Sequence, residues 1–176
     1  MATNNTRTRV RPAIASDMPT VGKLGALLVR THHEFDPKRF IAATPRTAQG
    51  YGSYLGAQLD EPTVVVLVAE HDGSVVGYTY AGVEGTDYMS LRGPAGVLYD
   101  IVVAPDHREH GIGRLLLDAT IAALERLGAQ QIVLSTAEPN ASAQRLFARA
   151  GFRRTMIEMT RDADDGAFIP TDGVPE

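Results

Sequence analysis

The chain has 176 residues, 44% hydrophobic and 22% charged, the make-up of a globular protein of one domain with room for a full core. A net charge of −4 disfavours a general nucleic-acid binder, and no apolar run approaches the roughly 20 residues that span a bilayer. The first residues lack the apolar centre of a secretion signal, and the absence of cysteine removes disulfides and thiolate chemistry; both fit the cytoplasm.

Thr8 to Ala13 reads as a first strand. Ser16 precedes a run in which Val21, Leu24, Leu27 and Leu28 recur at helical spacing, so a helix capped by Ser16 is expected. Thr31 to Phe40 shows no period and is expected to be a loop carrying His32 and His33. Thr44-Pro45 opens a second helix towards Leu59. Gly50, Gly52 and Gly56 each cost that helix about 1 kcal/mol relative to alanine, so it needs tertiary support or is locally mobile. Val64 to Val68 is an apolar strand, and Asp72-Gly73 is a hairpin turn into a strand from Ser74 to Glu84. A polar loop from Gly85 to Pro94 leads to a strand from Val97 to Val103. The helix that follows turns Leu117, Ile121 and Leu124 to the core, with Leu116, Ala123 and Leu127 alongside, and ends at Gly128. Ile132 to Ser135 is a further strand, Asn140 caps the last helix, and Gly151 stops it before an expected final strand from Phe152 to about Arg161. Residues 162–176, acidic and containing Gly and Pro, read as a tail. The whole is one domain, 1–176, with a core of about 8–161.

The most informative stretch is Val97 to Phe152. An apolar strand ends at Ala104-Pro105, a basic loop with Gly111 and Gly113 follows, and a helix starts at once. Free backbone N–H groups at a helix N-terminus favour an anion, and the glycines let the main chain approach a phosphate with no Cβ between. Arg108 and Arg114 flank the turn and can add charge-assisted bonds. Gly111-Ile112-Gly113-Arg114 lacks the G-K-[ST] of a Walker loop, and a dinucleotide fingerprint would need a third glycine and an acid ending the next strand. What remains, R-x-x-G-x-G after a strand ending V-x-P, resembles the acetyl-CoA signature of the GCN5-related N-acetyltransferase (GNAT) superfamily. A second match, to N-x-x-A-x-x-L-Y-x-x-x-G-F, places Asn140, Ala143, Leu146, Gly151 and Phe152 in register. The resemblance covers about Thr8 to Arg161 and is strong from Val97 onward.

That resemblance implies an α/β (α+β) fold of order β-α-α-β-β-β-α-β-α-β, a mixed, mostly antiparallel twisted sheet flanked by helices. It also implies that the motif strand and the next splay apart to receive the pantetheine arm. Acetyl-CoA would then be held by the main chain of Ile101, Val102 and Val103, by the loop residues Arg108, Glu109, His110, Gly111, Ile112, Gly113 and Arg114, and by Ser135, Asn140 and Phe147. An N–H near Val103 is the implied oxyanion donor.

Acetyl transfer to an amine whose pKa is near about 10 needs a proton acceptor. Asp100, the one carboxylate inside the motif strand, is the first candidate, followed by Glu84 and then Glu158. The family's tyrosine, which protonates the departing thiolate, is Phe147 here. Tyr99 is the first substitute, with Tyr78 and Tyr80 behind it. Adjacent His32 and His33 have no matched acid nearby, so no metal is expected; their segment falls where this fold lines the acceptor pocket. The reading is an acetyl-CoA-dependent N-acetyltransferase acting on the primary amine of a small molecule by direct attack in a ternary complex. No nucleic acid, membrane or metal partner is expected, and a homodimer is compatible with the chain. Acetylation of a protein N-terminus or lysine is the alternative within the same chemistry. A non-catalytic CoA-binding sensor is the alternative outside it.

Overall fold

The computed structural model describes residues 8–162. Five strands form one sheet in chain order: β1 (Thr8–Pro12), β2 (Val64–His71), β3 (Ser74–Glu84), β4 (Ala95–Val103) and β5 (Ile132–Leu134). The first four pair antiparallel, and β5 runs parallel to β4. Helices α1 (Met18–Phe35) and α2 (Thr47–Ala57) lie on one face, and α3 (Ile112–Arg126) and α4 (Ala141–Arg149) on the other. The expected tail beyond residue 162 lies outside the described residues. Among the described residues, no helix is long and apolar enough to cross a membrane.

Two apolar layers follow from strand alternation. Val68, Tyr78 and Val102 pack with Met18, Val21, Leu24 and Leu55 under α1 and α2. Val65, Leu67, Ala81 and Leu98 pack with Leu117, Leu124 and Phe147 under α3 and α4. The β2–β3 hairpin turns at Asp72-Gly73, both with positive φ (48° and 79°), as its turn residues require. Gly128 (φ 93°) and Gly151 (φ 91°) take the left-handed conformation that ends α3 and α4. Asn140 caps α4 by accepting the Ala143 amide at 3.2 Å.

Three expectations about local structure fail, each for a physical reason. The carboxylate of Asp17, not the Ser16 hydroxyl, accepts the Ile14 amide at the start of the first helical segment. Arg11 donates to both oxygens of Asp17 and holds its carboxyl below the usual range, which fixes the charged form where it is needed. α1 continues through His32 and His33 to Phe35, because the His32 ring packs edge-on against Phe35 and Phe40 and supplies an apolar contact that a hydropathy pattern does not register. No strand forms from Phe152 to Arg161. Met156, Ile157 and Met159 do not alternate cleanly, so no single face could be buried; all three are exposed, and the segment runs to the α1–α2 connection, where Glu158 pairs with Arg39 and Asp162 with Lys38.

The glycines of α2 have the tertiary support they require. A Cβ on Gly22 would lie 2.1 Å from the Ala48 carbonyl oxygen, and one on Gly52 would lie 2.7 Å from that of Met18. The two backbones touch where neither has a side chain. Gly50 faces open space. Gly22→Ala should therefore force the helices apart and destabilise by about 1–3 kcal/mol, as overpacking does. Gly50→Ala should stabilise by about 0.5–1 kcal/mol through helix propensity. Urea unfolding of the two variants checks the opposite signs.

Candidate active site

The register of β3 and β4 decides which way the candidate residues face. Tyr80 is opposite Asp100 and Ala81 is opposite Leu98, so Tyr99 is an extra residue in β4, a β-bulge. On one side of the bulge Leu98 belongs to the layer under α3. On the other side Asp100 lies with Tyr78 and Val102 on the α1–α2 face.

Asp100 is buried, and its Oδ2 accepts two hydroxyls, Tyr51 from α2 at 2.9 Å and Tyr78 from β3 at 3.0 Å. Burial pushes its carboxyl up, against the opposing pull of the two hydroxyls and of nearby His32. Both phenols are in turn pushed above their ordinary range, by burial first and then by the Asp100 charge. Among the described residues every fully buried side-chain N or O atom has a partner, and Oδ1 of Asp100 makes no bond to protein. Oδ1 is therefore open to the cavity that Asp100 lines.

That cavity, about 240 Å³, runs from the end of α1, past the bulge, into the gap between β4 and β5. The gap has a plain origin. β5 pairs with β4 only at Gly96, Val97 and Leu98, so the strands part at the bulge. The Ala104 amide donates to Val76 on β3, and by strand alternation the peptide groups of Ile101 and Val103 face the open side. The splay implied for pantetheine is present, and Ile101 borders the cavity while Val102 is turned into the layer beneath α1. Ser135, Asn140 and Phe147 line the far wall, Phe147 buried and edge-on to Phe152 at 6.0 Å.

Beyond β4 the loop of Arg108, Glu109 and His110 is exposed and leads into α3 at Ile112, which is buried beneath the helix. Glu109 and Gly111 take positive φ (65° and 78°), and a Cβ on Gly111 would meet nothing within 4 Å. At Gly113 it would touch only Leu146 and Val103 at ordinary contact. The main chain here is uncovered, as a phosphate site requires. Arg108 donates from Nε to the Val103 carbonyl, bracing the loop against the strand end. Arg114 points elsewhere: it bonds Asp118 and the Arg149 carbonyl, tying α3 to the end of α4.

The other candidates divide. Tyr99 lines the cavity, stacks on Tyr80 at 4.7 Å and donates its hydroxyl to Glu84. Glu84 also receives Arg92 and stays behind Tyr99, outside the cavity lining. Glu158 is exposed on Arg39, outside the cavity as well. The Tyr80 hydroxyl is paired with that of Tyr54, and Tyr78 has committed its proton to Asp100; neither residue lines the cavity. His32 lines the cavity with Nδ1 on the Leu28 carbonyl, whereas Nδ1 of His33 is held by the Phe40 carbonyl; the adjacent rings are fixed by different groups. Sequence reasoning missed Tyr51, Leu28, Phe40 and Ile41. For Tyr51 a signal existed: a Cβ on Gly25 would lie 2.2 Å from its ring, so the small residues of α1 and α2 mark where the helices press together and aim it at Asp100.

The sequence profile of the acetyltransferase (GNAT) family matches residues 28–152. The chain belongs to that family. It is 35% identical over 97 residues to a mycothiol acetyltransferase of Thermobispora bispora, a match covering 53% of this chain and 31% of that protein. To an uncharacterized N-acetyltransferase of Bacillus subtilis, YhfO, it is 30% identical over 104 residues, 59% of this chain and 68% of that one. The match thus spans between 21% and 36% of the length of the mycothiol acetyltransferases to which this GNAT chain is similar. Among solved structures, a mutant of the Bacillus halodurans protein BH1408 superposes with a TM-score of 0.75 at 21% identity, covering 88% of this chain and 99% of that one. An aminoglycoside N-acetyltransferase in complex with CoA superposes with a TM-score of 0.71 at 16% identity, covering 93% and 99%. At these identities the likeness is one of fold, and it is the GNAT fold.

A raised folded-state pKa means that the native protein holds the Asp100 proton more tightly than the unfolded chain does. This group's contribution to stability is full below the unfolded value of about 3.9 and is lost as pH rises through the folded value. Asp100→Asn keeps an acceptor for the two tyrosines and removes the titration. It should be as stable as the parent or more so at neutral pH, and the difference should shrink on acidification. Thermal unfolding of both proteins across that range checks the sign.

Proposed function

We propose that this chain transfers the acetyl group of acetyl-CoA to the primary amine of a small molecule, by direct attack in a ternary complex. The observation that carries this reading is that the open oxygen of Asp100 borders the cavity at the point where β4 parts from β5. A proton acceptor and a strip of unpaired main chain meet at one place. The pantetheine amides fit the open peptide group of Ile101 and the free N–H of Val103, whose carbonyl is taken by Arg108, and the pyrophosphate fits the uncovered loop at Gly111 and Gly113.

Oδ1 of Asp100 takes the proton of the incoming ammonium, directly or through one water, and burial that raises the carboxyl pKa makes it the better base. The amine nitrogen then attacks the thioester carbon, the carbon–sulfur bond breaks, CoA leaves as the thiolate, and the proton still in excess on the nitrogen is lost to water. Ile101 lines the cavity and Val103 does not, so we assign the Ile101 amide to the developing oxyanion in place of a donor nearer Val103. Phe147 can give the thiolate no proton, and the Tyr99 proton is committed to Glu84. The thiolate, with a conjugate thiol pKa near about 8.5, leaves without a general acid. Glu84 acts here through Tyr99, holding the ring against the bulge.

Thiol release from acetyl-CoA with a panel of amines tests the reaction, and calorimetry tests cofactor binding. Asp100→Asn should lower kcat by roughly 10²–10⁴-fold, the usual worth of a general base, with acetyl-CoA affinity unchanged. Gly111→Val, forced into a left-handed conformation, should weaken acetyl-CoA binding in a protein that still folds. Tyr99→Phe and Phe147→Tyr should each change turnover little if the thiolate leaves unaided; a large loss in the first would make Tyr99 the acid. Tight acetyl-CoA binding without thiol release to any amine would point to a sensor.

A further inference from the structure

The cavity is chemically two-sided. Towards β5 and α4 its polar side chains are Ser135, Thr136 and Asn140. Towards α1 its walls are Leu28, Val29, Phe40 and Ile41, and the polar groups among them are largely occupied. His32 gives Nδ1 to the Leu28 carbonyl, Tyr99 gives its hydroxyl to Glu84, and Oδ2 of Asp100 holds two tyrosines. The Glu84 charge is met by Arg92. What stays open is Oδ1 of Asp100 and one ring nitrogen of His32.

The apolar wall reaches the surface at Ile41, which is 78% exposed. Tyr88, Met89 and Leu91 stand exposed on a loop tied through Arg92 and Glu84 to Tyr99. Met156, Ile157 and Met159 stand exposed on a segment tied through Glu158 to Arg39, whose guanidinium lies 5.0 Å from the centre of the Phe40 ring. Of these Ile41 stands in the cavity wall itself, and an exposed apolar side chain there suits an occupant that covers it with apolar surface.

Resting on the transfer reaction above, we infer that the acceptor is a primary amine on an apolar body, aliphatic or aromatic, and not a sugar amine or a polyamine. Leu28, Val29, Phe40 and Ile41 receive the body, and Asp100 receives the amine. A sugar amine would desolvate hydroxyls against these side chains without partners, each lowering affinity by about fivefold to a hundredfold. A polyamine brings a second ammonium that needs its own carboxylate, and the open carboxylate oxygen here already serves the reacting nitrogen.

The experiment is thiol release from acetyl-CoA by the full chain with butylamine, hexylamine, phenylethylamine, glucosamine and spermidine. kcat/KM should rise about three- to fourfold per methylene from butylamine to hexylamine, the worth of burying one CH₂. Phenylethylamine should exceed glucosamine and spermidine by about tenfold or more, a hydrophobic-pocket contrast. Ile41→Ser, at an exposed position where folding is not at stake, should flatten the chain-length slope. Glucosamine or spermidine matching phenylethylamine, a flat slope in the parent, or a parent slope that Ile41→Ser leaves intact would each overturn the inference. Absence of thiol release with every probe, while acetyl-CoA still binds by calorimetry, would overturn the transfer reaction itself.

Discussion

One extra residue in β4 is the constraint on which the rest of the site depends. A regular strand would place Leu98 and Asp100 on the same face, and Asp100 would then point into the apolar layer under α3 with no partner for its charge. With Tyr99 bulged out, the alternation restarts one residue later. Leu98 keeps its place against Leu124, and Asp100 turns to the opposite face. The strand also stops pairing with β5 at this point. Carboxylate orientation and the opening of the gap thus share one local departure from regular geometry.

The bulge alone would leave a carboxylate in a dry layer. Tyr78 reaches it from the neighbouring strand, and Tyr51 reaches it from α2 because Gly22, Gly25 and Gly52 bring the two helices close. Two hydroxyls on one oxygen lessen the cost of the buried charge without cancelling it, since the carboxyl is still pushed up. A group held in this way is both oriented and basic. The same glycines that count against α2 by helix propensity are what let it approach.

Features set by neighbours in the chain were legible in the sequence: the Asp72-Gly73 hairpin, the Asn140 cap, the glycine ends of α3 and α4, and the strand–loop–helix around Gly111. Each depends on a few consecutive residues. The fold class followed from the order of such elements and from the family resemblance. Asp100 could be named as a candidate because it is the one acid in its strand, but its pairing with Tyr51, 49 residues away, was marked only indirectly by the small residues of α1 and α2, and Tyr78 was named in another role. A bulge is defined by the register of two strands and leaves no mark on either one alone. The helical state of His32 was misread for a related reason, because an aromatic contact from Phe40 decides it, whereas the unpaired course of residues 153–162 follows from the broken alternation of Met156, Ile157 and Met159.

β4 has a partner along the whole of one edge and, on the other, for only three residues. Its outer half is an unfinished piece of sheet, with main-chain groups that water must satisfy in the free protein. A ligand whose amides complete that edge binds the folded chain and not the unfolded one, so its binding energy is added to that of the fold. At a concentration one hundred times its Kd the addition is about 2.7 kcal/mol, a large fraction of the margin by which a domain of this size stays folded. Persistence of the native state then depends on how full that edge is kept, and the molecule is at its most fragile when its supply of ligand runs low.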